Sequence, residues 1–114
     1  MIFPPSLSRT TIRPRSTLEI VYVVPFPGIM TYGLTARGEV DSFLVDSRNR
    51  GQYFQGLPFA SVWTVQEQTI HESSPLSVYP GQWHLLIRNK SAAEVEVQVQ
   101  ISFHNWLIAK AMGF

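Results

Sequence analysis

The sequence predicts an all-β chain: a single antiparallel β-sandwich of about seven to eight short strands. Three observations carry that prediction. Residues 93–103 alternate apolar and polar without a slip. Clusters of Pro, Gly, Asn and Ser break the chain at roughly ten-residue spacing. Between the breaks there is no amphipathic stretch of three helical turns, so a βαβ arrangement is excluded. The 114 residues fit one domain, large enough to bury about two-thirds of its unfolded surface without a metal or disulfide.

Residues 1–15 are rich in Pro, Ser and Arg, with Ile2, Phe3, Leu7 and Ile12 scattered among them without period. They read as an extended N-terminal arm, either fraying or laid along the body or a neighbour. The domain proper spans 16–104. Its first strand, 16–24, sets Leu18, Ile20, Tyr22 and Val24 on one face and Glu19, Val21 and Val23 on the other. A strand apolar on nearly both sides is buried on both or lies in an interface. Pro25-Phe26-Pro27-Gly28 ends it. Residues 29–36 read as a strand with a bulge at Gly33, Arg37-Gly38-Glu39 as a turn, and 40–45 as a strand ending at Asp46. Residues 47–58 read as a polar loop carrying Tyr53 and Phe54. Strands at 61–69 and 76–79 follow, and Pro80-Gly81 turns the chain into its most regular stretch, 82–103.

That stretch reads as a hairpin. With Arg88 opposite Glu94, Ile87 faces Val95, Leu85 faces Val97 and Trp83 faces Val99, all pointing one way. A one-residue slip would set valines against charges. Burying these six side chains stabilises the fold by about 10 kcal/mol gross, at about 1.5–3 kcal/mol each. The other face pairs Arg88 with Glu94, Leu86 with Glu96 and His84 with Gln98, and is expected to meet water or a polar partner. Residues 105–114 form an apolar C-terminal segment. Asn105 can cap and Gly113 can terminate a short C-terminal helix of two turns at most, with a final extended strand as the competing reading.

A short strand, Pro80-Gly81, an aromatic, an alternating strand to Asn89, a short loop and a long alternating strand together resemble the last hairpin of small jelly-roll-like β-sandwich modules. GOLD-type and prepeptidase C-terminal-type domains share the layout. Phe43-Leu44-Val45-Asp46-Ser47-Arg48-Asn49, followed by Tyr53 and Phe54, is similar to the segment that precedes it in them. The resemblance covers about residues 40–103. It implies a jelly-roll-like accessory or interaction module and carries over no catalytic residue.

Composition narrows the function classes. The formal net charge is +1 and only 15% of residues are charged, so no global field steers the chain to nucleic acid or an anionic membrane. A surface this poor in charge favours association. The absence of cysteine excludes disulfides, thiolate nucleophiles and zinc–thiolate sites. It also leans toward a reducing compartment. Met1-Ile2-Phe3-Pro4-Pro5 has neither a basic nor a continuous apolar signal region, so the expected location is cytoplasmic. No apolar run approaches the length of a membrane span.

The three histidines, His71, His84 and His104, have no metal-ligand spacing, and no cofactor or metal is expected. No Gly-x-Ser-x-Gly elbow, P-loop or dinucleotide fingerprint occurs. Asn89-Lys90-Ser91 matches a glycosylation sequon. The chain is therefore not expected to be an enzyme, and a hydrolase built from His71 or His84 with a carboxylate and a hydroxyl is held in reserve. The favoured expectation is a non-catalytic module acting through protein–protein contact, self-associating or part of an assembly. Its interface candidates are Tyr22, Val23, Trp106, Leu107 and Phe114. The alternative is a small-ligand or carbohydrate-binding module using Arg48, Arg50, Tyr53, Phe54 and Trp63.

Overall fold

The computed structural model of the chain describes residues 6–105. Its elements are β1 (Ser6–Ile12), β2 (Ser16–Val24), β3 (Gly28–Asp46), α1 (Ser47–Phe54), β4 (Trp63–Glu72), β5 (Leu76–Val78), β6 (Gly81–Asn89) and β7 (Val95–Asn105). The described residues are all-β and antiparallel, with one short helix. Every strand belongs to one hydrogen-bonded sheet of order β1-β7-β3-β6-β2, with β4 and β5 added along β3.

The 19-residue β3 is the strand that makes one sheet behave as two layers. Its first part pairs with β7 from Gly28 to Ala36, and its last part with β6 from Asp41 to Asp46. The turn expected at Arg37-Gly38-Glu39 is not there. The chain bends without reversing, and its pairing with β4 shifts register between Thr35 and Val40 and again between Val40 and Ser42. Gly38 permits the bend because a Cβ there would press on Val95 at 3.1 Å. Gly33 makes no bulge toward β7: Tyr32, Gly33 and Leu34 face Ile101, Gln100 and Val99 in unbroken register. At the start of β3 the packing is closer still. A Cβ on Gly28 would overlap the His104 carbonyl and come 2.6 Å from the Phe103 ring.

The hairpin expected at 82–103 is corrected by the topology. β6 pairs with β2 and β3, while β7 pairs with β1 and β3. Trp83, Leu85 and Ile87 of β6 and Val95, Val97 and Val99 of β7 are still buried together, with Met30, Leu44, Ile101 and Phe103. They meet across the core instead of side by side. A hairpin would have put all of these side chains on one face and left that face needing another layer. Folding the sheet over lets its two halves cover each other.

Asn89 holds the arch between the halves. It is fully buried, its Nδ2 donates to the carbonyls of Ile12, Arg13 and Ala93, and its Oδ1 accepts from the Ser91 N–H and hydroxyl. A side chain so enclosed leaves no room for a glycan at the Asn89-Lys90-Ser91 sequon. From Ser6 onward the N-terminal arm is β1, which pairs along β7 and buries Ile12. The expected C-terminal helix, with Trp106, Leu107 and Phe114, lies outside the described residues. Among the described residues no helix is long and apolar enough to cross a membrane.

The segment expected as a polar loop at 47–58 begins as α1. The Asp46 carboxylate caps it by accepting from the Asn49 N–H at 2.9 Å. At the other end Gly56 takes φ +73°, Gly56 N–H donates to the Tyr53 carbonyl and Leu57 N–H to that of Gln52, which is a Schellman stop. The helix lies on the outer face of β3 and β6. There Tyr53 and Phe59 pack on a second, smaller cluster of Phe43, Val45 and Leu86. This lid is why Leu86 and His84, expected on a wet polar face, are buried.

Candidate functional site

The helix is tied to the sheet by a chain of polar contacts centred on His84. On β6, His84 sits opposite Val21 of β2 and Val45 of β3. Its diagonal neighbours on the same face are therefore Glu19 and, where β3 runs into α1, Ser47. His84 Nδ1 lies 2.9 Å from Glu19 Oε2 and Nε2 lies 3.0 Å from Ser47 Oγ. Arg50, one turn into α1, grips the same carboxylate with both prongs, Nε to Oε2 at 2.6 Å and Nη2 to Oε1 at 3.1 Å.

The protonation pattern follows from the donors and acceptors. The hydrogen bond from Arg50 outweighs the upward push of burial. With the positive charge of Arg50 and the contact to His84, it holds the Glu19 carboxyl below its ordinary range. An ionised carboxylate only accepts, so the neutral imidazole carries its hydrogen on Nδ1. Nε2 is then an acceptor, and the Ser47 hydroxyl donates to it. His84 is 5% exposed, whereas Ser47 is exposed.

A second serine–histidine pair lies elsewhere in the fold and differs in each of these respects. Ser42 Oγ is 2.6 Å from His71 Nδ1, and His71 Nε2 is 2.8 Å from the Gln68 carbonyl. A carbonyl only accepts, so Nε2 carries that hydrogen and Ser42 donates to Nδ1. Tyr32 Oη, 3.0 Å from Ser42, completes the relay, and burial lifts the Tyr32 phenol to about 12 against the opposing contact from Ser42. Ser42 and His71 are both buried. No carboxylate backs His71 in that relay, and its chemistry is that of a satisfied core network.

A third polar group lies beyond α1 on the same face. Asp41 is fully buried. Burial pushes its carboxyl up, but hydrogen bonds from Arg88 and the Glu67 N–H, with the charges of Arg88 and Lys90, leave it below its ordinary value. Arg88 Nη2 is 2.8 Å and Lys90 Nζ 3.4 Å away. Arg88 was expected opposite Glu94; its partner is Asp41, directly across on β3.

The residues singled out from sequence fall in three places. Arg50 and Tyr53 fasten α1: Arg50 through Glu19, Tyr53 through a 2.7 Å contact of its hydroxyl with Thr17 and by packing on Phe43 and Phe59. Phe54 is 47% exposed with the Arg50 guanidinium 4.6 Å above its ring. Arg48 lines an open cleft of about 420 Å³ with Asp46, Asn49, Gln52, Pro58, Phe59 and Ala60. Trp63 lies apart at the start of β4, half-buried against the main core, its indole N–H without an acceptor among the described residues. Tyr22 turns inward onto Phe103, while Val23 is 63% exposed on the edge strand. The sequence holds His84 in reserve with an unnamed carboxylate and hydroxyl; that these are Glu19 and Ser47 is not legible in it. The sole local signal was Asp46-Ser47 at a strand end; the rest depends on which strands flank β6.

No group of three or more His, Cys, Asp or Glu side chains among the described residues is placed to hold a metal. No protein-family model matches the sequence, and no curated protein is significantly similar to it.

Proposed function

We propose that this chain is a protein–protein interaction module that self-associates through the outer edge of β2, which pairs with no other strand among the described residues. The observation that carries the reading is the state of that edge. β2 ends the strand order and offers nine residues without a proline, lysine or arginine. Its single charge, Glu19, is drawn away by Arg50 and His84. Val21 and Val23 are 48% and 63% exposed along it. Natural sheets blunt such edges with charge, proline or bulges. β4 has them: Gln66, Glu67 and Gln68 with Glu67 at φ +56° and a shifted register. β1 carries Arg9 and is followed by Arg13-Pro14. β2, bounded by Pro14 and Pro25, holds within it only Glu19, which Arg50 and His84 draw away, so a further strand belongs there.

The occupant is a second copy of this chain. Antiparallel pairing of β2 with itself about Tyr22 sets Val21 against Val23 and Ile20 against Val24, apolar to apolar over residues 20–24, with Glu19 at the end of the paired stretch. This use as an association module is in keeping with the likeness to jelly-roll-like accessory domains. Light scattering coupled to size exclusion tests it. The full chain runs as a dimer, and Val21→Lys/Val23→Lys runs as a monomer with an unchanged melting temperature. A wild-type monomer at high concentration, or a dimer that survives both lysines, overturns the reading.

A further inference from the structure

We propose that Ser47, His84 and Glu19 form an acyl-transfer site for short, uncharged carboxylic esters. This inference shares Val21 with the proposed β2 contact and replaces the expectation of a catalytically silent chain. A hydroxyl, an imidazole and a carboxylate are placed in sequence at 3.0 and 2.9 Å, with the imidazole tautomer set so that the hydroxyl donates to Nε2. That is the arrangement a serine nucleophile needs: a base within reach of its proton and a third group orienting the base.

Three further features separate this cluster from the Ser42–His71 relay. The nucleophile is exposed while the base and its carboxylate are sheltered. The carboxylate is clamped by Arg50 on both oxygens, so it stays charged and still as the imidazolium forms. Ser47 also opens an eight-residue helix. The first N–H groups of a helix have no partner inside it, and Asp46 takes that of Asn49. The N–H of Arg48, the residue after Ser47, is thus placed at the helix start for a developing oxyanion. Beside His84 on the same face, Val21 offers an exposed apolar surface to the acyl group. Ser47 is itself exposed, so a short acyl group reaches it without rearrangement of the core.

The step balances without a co-reactant other than water. Ser47 Oγ attacks the ester carbonyl carbon as its proton passes to His84 Nε2. The carbon–alkoxide bond breaks, the alcohol leaves with the proton from Nε2, and an acyl-Ser47 remains. Water, deprotonated by the same nitrogen, releases the carboxylic acid and restores the serine. Ser47 and His84 are the catalytic residues; Glu19 and Arg50 are positioning residues.

The test uses the full chain with p-nitrophenyl acetate and p-nitrophenyl butyrate, reading p-nitrophenol release and intact mass by quenched spectrometry. The expected result is a burst matching the protein concentration and one acetyl group, mapped by peptide analysis to Ser47. Ser47→Ala, an exposed position whose loss leaves the core intact, lowers hydrolysis by about 100-fold or more, the low end of what a positioned base contributes. His84→Gln does the same. Glu19→Gln lowers kcat while leaving KM unchanged and leaves the far-ultraviolet circular dichroism spectrum as in the wild type. Acetylation at sites other than Ser47, or hydrolysis undiminished in Ser47→Ala, overturns the proposal.

Discussion

Asp41 is the charge that this fold is least able to leave unpaired. It has no solvent of its own, and it stays ionised because Arg88 reaches it from the neighbouring strand with two nitrogens, at 3.0 and 2.8 Å. A buried ion pair adds little over an apolar pair of the same volume, but removing one partner strands the other. Arg88→Ala therefore costs about 3 kcal/mol in urea denaturation, with Lys90 at 3.4 Å the remaining cation. Adding Asp41→Asn to that variant recovers part of the loss, because the stranded charge is gone. A single variant no less stable than the wild type would show that Lys90 alone suffices. None of this was legible in the alternation that set Arg88 against Glu94. Opposite charges at matching positions suggest a partner, but Asp41 offered the same chemistry from a strand far away in the sequence.

At the level of elements, α1 and the arch show how far local chemistry reaches. The helix had readable ends in Asp46 and Gly56, an N-cap oxygen and a left-handed glycine. Its interior had no apolar period to announce it. An eight-residue helix that lies on a sheet needs little more than Tyr53, with Phe59 from the loop beyond, to anchor it. Such a helix is marginal alone, so its caps and its ties to β2 matter. Asp46→Ala removes the acceptor of the Asn49 N–H and costs about 1 kcal/mol in thermal or urea unfolding. The same variant loosens the Ser47–His84 contact, seen as exchange broadening of the His84 ring signals; a sharp, unshifted His84 resonance would place the helix start beyond the reach of its cap. The arch at 90–94 had the opposite history. Its flanking strands were plain in the sequence, and every one of their apolar side chains is inside, yet they are not neighbours in the sheet.

Across the whole molecule the two lowered carboxyls set the response to acid. Glu19 and Asp41 titrate below their ordinary values of 4.5 and 3.8. A group whose folded pKa is depressed stabilises the fold above its unfolded value, and loses that contribution as the pH falls through the folded one. Stability is thus full at neutral pH and declines below about pH 4.5 as protonated Glu19 and Asp41 release Arg50 and Arg88. The melting temperature at pH 3 falls below that at pH 7, and Glu19→Gln/Asp41→Asn shows a flatter dependence between the two. Parallel curves for variant and wild type would assign the acid sensitivity to other groups. Because Glu19 is also the positioning group beside His84, acid weakens the fold and the helix dock through the same side chain.

The sequence dictated the strands β2, β6 and β7 and the apolar faces of β6 and β7 that go inside, because a period of two and a turn residue are local properties of a chain in water. It also dictated the absence of cysteine chemistry and of a strong field. The choice of neighbours was settled by folding. Alternation marks a face for burial but does not say what covers it. The apolar faces of β6 and β7 found each other across the core because that arrangement leaves neither exposed. That same choice put β2 and β3 on either side of β6, and so brought Glu19 and Ser47, 65 and 37 positions from His84, to the two nitrogens of one ring.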